Sequence, residues 1–367
     1  MKLKRLFAIF MLLSLSSCSG NSSDGAHDNI ATSSQVITPP ETASSNVYAE
    51  DKESYCSLPE NDSSTYWIEE FLINRLDPEI FTYQESNGFC TKPGCVVGDA
   101  NYVQGWGNNE LQYYTSCREG YSKNCDPLKN TTENAFIENG YLKLQPIYDP
   151  DTPFEDPDCQ GPECSSQKQA WNYTSARIMT SNKKIITPGT EVTVCFKVPE
   201  GSGHWPAIWM LPQGFVEGLK RWPKDGENDL VEHLKHHQAF EIQSTLHFES
   251  NGVANNIGQI VSVPGDVNFF DSFHSVTMKW QIDKIEYFLD TESTPYFSVS
   301  KNSRSEFNND YWPFNESFYL ILNVAAGGDA GGDPDISRYC RDQACSNLDD
   351  KDRARFLIDF IEIKSID

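Results

Sequence analysis

Between Glu191 and Val198 every second residue is apolar, so Val192, Val194, Phe196 and Val198 fall on one face of an extended segment. Shorter runs at 141–147, 275–281, 284–289, 318–325 and 356–363 continue the series, with turn signals between them. No long stretch carries the 3.6-residue period of an amphipathic helix. Strand after strand without intervening helices predicts an all-β fold, a sandwich or barrel of antiparallel sheets. The 20 Pro and 23 Gly are spread among these runs and suit a turn-rich chain.

The pattern fails at the N-terminus. Lys2, Lys4 and Arg5 precede an apolar run at 6–15, which is short of the ~20 residues that a membrane-spanning helix needs. The run closes on Leu15, Ser16, Ser17 and Cys18, which looks like a bacterial lipobox, so residues 1–18 are expected to be a lipoprotein signal with Cys18 lipidated. Ser19, rather than Asp, follows the Cys and points to the outer membrane; an ordinary signal peptide and a secreted product is the other reading. Residues 19–54 are rich in Ser, Asn and Thr and predict a flexible tether. Residues 55–367 show no second linker and predict a single catalytic-size domain, read as a monomer.

Eleven Cys are present, and removing Cys18 leaves ten, an even number suited to disulfides in an oxidising compartment. Proximity suggests Cys90 with Cys95, Cys117 with Cys125, Cys159 with Cys164 and Cys340 with Cys345, leaving Cys56 with Cys195. None of these spacings is the C-x₂-C of a zinc site, and no His lies near. The 29 basic and 53 acidic residues give a net charge of −24, which argues against nucleic acid and against charge-driven binding to an anionic membrane. A neutral substrate is compatible with that charge.

The chemistry concentrates at 226–232, Gly-Glu-Asn-Asp-Leu-Val-Glu. On a strand Glu227 and Asp229 share a face, whereas Glu232, five positions on from Glu227, would point the other way. A β-bulge near Leu230 and Val231 would add one residue and restore Glu232 to the first face. Three carboxylates lining one strand would repel each other and raise at least one pKa, as a general acid near neutral pH requires. Spacing alone leaves an acidic solvated edge as the plain alternative.

The surroundings alter the balance. GHWPAIWMLP stands at 203–212 and WPKDG at 222–226, with YWIEEF at 66–71, WGNNELQYYT at 106–115, NGYL at 139–142, YTSARI at 173–178, FYLILN at 318–323 and IDFIEI at 358–363. In this order the segments resemble glycoside hydrolase family 16, and the 106–115 segment is most similar to its laminarinase branch. The resemblance implies a β-jelly-roll sandwich with an open concave cleft, and an endo-acting retaining hydrolase of β-1,3-glucan or mixed β-1,3/1,4-glucan. It implies Glu227 as nucleophile, Glu232 as acid/base and Asp229 as their support, with no cofactor for catalysis. Asn108, Glu110, Arg177, Trp205, Trp209 and His247 become candidates to contact the sugar. Glu70 and Asp359 occupy the places where relatives carry a structural Ca2+, whose shell of six to eight oxygens would need backbone carbonyls as well. His233, His236 and His237 resemble a metal cluster but are expected in a solvated loop.

The sequence departs from the family at two places. Asn228 replaces an apolar residue and should point into the interior, where an amide needs a partner. Residues 327–332, Gly-Gly-Asp-Ala-Gly-Gly, lack a Trp and a Pro that would line the cleft. Two other functions therefore stay open. One is a hydrolase of algal galactans such as agar or carrageenan, for which Arg177, Lys220 and Arg221 are the only nearby cations. The other is a non-catalytic surface lipoprotein that binds β-glucan.

Overall fold

The computed structural model describes residues 54–366, except 74, 93–94, 98, 116–133, 156–169, 266, 304–306 and 308–310. Cys18, Cys117, Cys125, Cys159 and Cys164 lie outside the described residues. Among the described residues, two eight-stranded sheets form the body, and every pairing within them is antiparallel.

The front sheet runs Val253–Ser262, Glu241–Ser250, Glu227–Glu232, His204–Pro212, Phe318–Ala326, Arg177–Met179 and Thr82–Tyr83, with Ile185–Ile186 also pairing to Phe318–Ala326. The back sheet runs Phe297–Ser300, Lys284–Leu289, His274–Gln281, Thr190–Lys197, Phe356–Ser365, Tyr141–Leu144 and Ala135–Glu138, with Thr65–Glu69 also on Phe356–Ser365. Neighbours such as His204–Pro212 and Phe318–Ala326 are far apart in sequence, the crossover connectivity of a jelly roll.

The core lies between the sheets. Val192, Val194, Phe196, Met278, Trp280 and Ile358 of the back sheet meet Ile208, Met210, Leu246, Leu322 and Val324 of the front sheet, all buried. The alternation at 192–198 thus marks the core face as expected. Cys195 projects to the opposite face, against Tyr141, Phe273 and Phe360, where it bonds to Cys56. Cys90 bonds to Cys95 and Cys340 to Cys345.

Candidate active site

Glu227–Glu232 lies between His204–Pro212 and Glu241–Ser250. Glu227 pairs with His247, Asp229 with Thr245 and Glu232 with Gln243. From Asp229 to Glu232 the strand advances three residues while its neighbour advances two, which defines a bulge. On the other side Trp209 pairs with Asp229 and Ile208 with Val231, leaving Leu230 as the extra residue. Leu230 and Val231 are both fully buried in the core. Two consecutive side chains can face the same way only where the pleat is interrupted. The Leu230 carbonyl accepts a hydrogen bond from Ser244 Oγ at 2.5 Å, so the break in the ladder leaves no orphaned acceptor there. Glu227, Asp229 and Glu232 consequently share the face turned away from the core.

Asp229 is 4 % exposed and sits between the two glutamates. Burial, then Asp229, pushes Glu227 up to about 8, and the same two causes in the same order push Glu232 up to about 8. Burial also raises Asp229 far above the usual carboxylate range. Each of the three carboxyls is therefore harder to ionise than a free one. Opposing contacts distinguish the two glutamates. His247 Nε2 lies 3.7 Å from Glu227 Oε1 and 3.1 Å from Asp229 Oδ2. Trp222 adds a hydrogen bond to Glu227, and both contacts favour the Glu227 carboxylate. Trp205 Nε1–H donates to Glu232 Oε1 at 3.0 Å, holding that side chain by one oxygen and leaving the other free.

The wall beyond Trp209 is a polar network. Trp209 Nε1–H donates to Asn323 Oδ1 at 2.6 Å, and Asn323 Nδ2 donates to the Tyr114 hydroxyl at 3.1 Å. Tyr114 reaches Glu110 Oε2 at 3.3 Å, joined there by Gln112 Nε2 at 2.6 Å, while Asn108 Nδ2 donates to Glu110 Oε1 at 3.1 Å. Glu110 is thus buried below the surface and anchors Asn108 from beneath. Arg177 is also buried; its guanidinium is stacked between Trp106 at 4.3 Å and Trp209 at 4.6 Å. Of the six residues expected at the sugar, Trp205, Trp209, His247 and Asn108 are part-exposed on or beside the carboxylate face. Glu110 and Arg177 act below it.

Sequence reasoning overlooked Trp222, Trp106, Tyr114 and Asn323. Trp222 could have been found, because it lies five positions before Glu227 and is followed by Pro. Trp106 and Tyr114 lie within the 106–115 segment and Asn323 ends the 318–323 segment, but Asn323 meets Arg177 only through cross-strand pairing.

Asn228 finds its partners in the opposite sheet. It is 1 % exposed, accepts from the Tyr287 hydroxyl at 2.8 Å and approaches Met278 Sδ through Nδ2 at 3.1 Å. The 327–332 loop folds against 108–111: Asp329 N–H donates to the Asn108 carbonyl at 2.7 Å and Asn109 Nδ2 to Asp329 Oδ1 at 3.0 Å. A Cβ on Gly328, which has φ +79°, would lie 2.8 Å from the Asn108 carbonyl oxygen, so glycine permits this contact.

The expectation of a solvated histidine loop is corrected for two of its three members. His233 and His237 are each 8 % exposed and only His236 is open to solvent. His233 Nδ1–H donates to the Glu241 carbonyl at 2.9 Å and packs edge-on against Phe270. His237 Nδ1 accepts from the Leu234 N–H at 3.0 Å, and burial lowers its pKa to about 4. These local bonds draw the two rings inward.

On the far side of the molecule Asp359 is the extra residue of a second bulge, since Cys195 pairs with Phe360 and Phe196 with Ile358. Burial, then the charge of Glu70, pushes Asp359 up to about 7. Among the described residues no Lys or Arg forms an ion pair with either carboxylate. Glu70 is exposed and Asp359 buried, and both offer the carboxylate oxygens that a hard ion takes.

A buried row of acids flanked by indole rings, on one open face of a two-sheet sandwich, is the equipment of an enzyme that cleaves sugar polymers. The comparisons make the class definite: residues 146–339 match glycosyl hydrolases family 16, and the chain belongs to that family of glycoside hydrolases. It is 30% identical over 269 residues to a beta-glucanase of Rhodothermus marinus, covering 72% of this chain and 76% of that one. The endo-beta-1,3-glucanase of Pyrococcus furiosus superposes with a TM-score of 0.61 at 28% identity, covering 82% of this chain and 94% of that one. The catalytic domain of an endo-1,3-beta-glucanase (laminarinase) from Thermotoga petrophila RKU-1 gives 0.60 at 30% identity, covering 82% and 97%.

Proposed function

We propose that this chain is an endo-acting, retaining hydrolase of internal β-1,3-glucan linkages, with laminarin as its type of substrate. The observation that carries the reading is the bulge at Leu230, which sets Glu227, Asp229 and Glu232 in one row beneath Trp205 and Trp209. Retaining glycosidases need two carboxyl groups ~5–5.5 Å apart, one to attack and one to move a proton. Glu227, favoured as a carboxylate by His247 and Trp222, attacks the anomeric carbon. Glu232, held by Trp205, gives its proton to the departing glycosidic oxygen. The glycosyl–Glu227 ester is then opened by water, whose proton returns to Glu232. Asp229 keeps both glutamates from ionising together. Indole rings suit the apolar C–H faces of glucose units.

A sulfated galactan fits less well. Of the three cations it would call on, Arg177 is buried between two indoles and Lys220 is paired with Glu316. The test is release of reducing ends from laminarin, lichenan, agarose and carrageenan. Laminarin oligosaccharides are expected from the wild type, and Glu227→Gln, which removes the attacking carboxylate, should lower the rate roughly 10⁶-fold, the scale seen on loss of a nucleophile. Products from a galactan alone would overturn the reading, and tight glucan binding without products would favour a binding lipoprotein.

Two further parts of the proposal rest on other residues. A lipid on Cys18 would tether the enzyme to the outer membrane through residues 19–54; in a bacterial host Cys18→Ser should move it to the soluble fraction. Ca2+ held by Glu70 and Asp359 would neutralise their repulsion and stiffen the bulge between them.

A further inference from the structure

The carboxylate row has a second chemical capacity, independent of sugar. One oxygen each from Glu227 and Asp229, and one ring nitrogen of His247, all lie within 4.8 Å of one another. The two contacts made by His247 Nε2 are 3.1 Å to Asp229 Oδ2 and 3.7 Å to Glu227 Oε1. Ligand atoms at ~2.0–2.1 Å from a tetrahedral Zn2+ are about 3.3 Å apart, so these two edges bracket the required length. Apart from the His247 ring, no hydrogen-bond donor reaches Asp229 Oδ2, although Asp229 is 4 % exposed. Among the described residues no Lys or Arg forms an ion pair with Glu227, Asp229 or Glu232. The densest group of buried carboxyls on this face therefore has the His247 ring beside it but no Lys or Arg partner.

We propose that Glu227, Asp229 and His247 form a latent site for a borderline divalent cation such as Zn2+ or Cu2+, and that its occupation inhibits hydrolysis. Two carboxylates with one imidazole are a donor set for such metals, whereas an all-oxygen shell suits Ca2+ or Mg2+. The ion would hold Glu227 by its oxygen and remove the nucleophile from reaction. It would occupy the floor on which the sugar must lie, so glucan and metal should compete. The inhibitory half of the proposal rests on Glu227 being catalytic; the binding half does not.

The full chain, stripped with EDTA, is titrated with CuCl2 and followed by electron paramagnetic resonance and by laminarin hydrolysis. A single Cu2+ with an imidazole-nitrogen signature is expected, displaced by laminari-oligosaccharides and inhibiting competitively. His247→Ala should weaken that binding about tenfold or more and remove its nitrogen signature. His247→Gln, which keeps a polar side chain, should do the same if His247→Ala fails to fold, and His236→Ala, which removes an exposed imidazole elsewhere, should leave the signal unchanged. An unchanged spectrum in a folded His247 variant, or Cu2+ that oligosaccharide does not displace, would overturn the site. Cu2+ bound through His247 in a protein inactive on laminarin would retain the site and sink the glucanase reading instead.

Discussion

At the scale of single residues, the catalytic acids are held at a cost to stability that depends on pH. Glu232 is raised from 4.5 to about 8, chiefly by burial and next by Asp229. Below pH 4.5 the group is protonated whether the chain is folded or not, and costs nothing. As pH rises toward 8 the unfolded chain releases the proton while the folded one keeps it, so the penalty grows until it is complete above 8. Glu232→Gln carries no such titration and its amide oxygen can still accept from Trp205. Its melting temperature should match the wild type near pH 4.5 and exceed it by several degrees at pH 8, even as activity is lost. Thermal melts across that range check this; a constant difference would show that the carboxyl is not strained by burial. The identity of these acids was readable from the chain, but the work of Arg177 and Glu110 was not. Both looked like sugar ligands and both are buried, Arg177 between the remote Trp106 and Trp209 and Glu110 among Asn108, Gln112 and Tyr114.

At the scale of the strand, one residue decides which acids share a face. Along 227–232 the faces alternate regularly except at Leu230, where two apolar side chains turn inward together. Deleting Leu230 would restore plain alternation and still leave Glu227, Asp229 and Glu232 on one side. That variant should fold with a weakened core and retain measurable laminarin cleavage. Deleting Asn228 instead would turn Glu227 into the core or force the strand out of register, and activity should vanish. Reducing-end assays beside thermal melts distinguish the two, and equal loss in both would disprove the alternation argument. Spacing posed this question, and the ordered motifs around it pointed to the answer. What the chain could not display was Ser244, whose hydroxyl serves the bulge carbonyl from the neighbouring strand.

At the scale of the whole molecule, the two faces of the sandwich treat acidic charge differently. The front face stores it unpaired for chemistry. The back carries Glu70 against Asp359 at a bulge, where Ca2+ would act on stability alone. EDTA should therefore lower the melting temperature of the wild type, with recovery on adding Ca2+, and have no effect on Asp359→Asn. No change in the wild type would show that the pair manages without metal. The Cys56–Cys195 bond, spanning 139 residues, fastens the start of the domain to the same back sheet, away from the carboxylate row.

The chain by itself determined the strands, because an alternating pattern such as Val192 to Val198 has only one way to bury its apolar face. It also determined the acid motif and the Cys90–Cys95 and Cys340–Cys345 pairs, each a property of residue type and spacing along a short stretch, with Cys56–Cys195 following as the remaining pair. Tertiary structure decided which polar groups would face sugar and which would support them from below. Asn228, exceptional as a sequence feature, becomes ordinary once Tyr287 and Met278 arrive from the opposite sheet. His233 and His237, plausible in solvent, are drawn inward by the Glu241 carbonyl and the Leu234 amide. Burial and hydrogen-bond partners are set by neighbours in space, and in a sandwich of crossed strands most of those neighbours are remote along the chain.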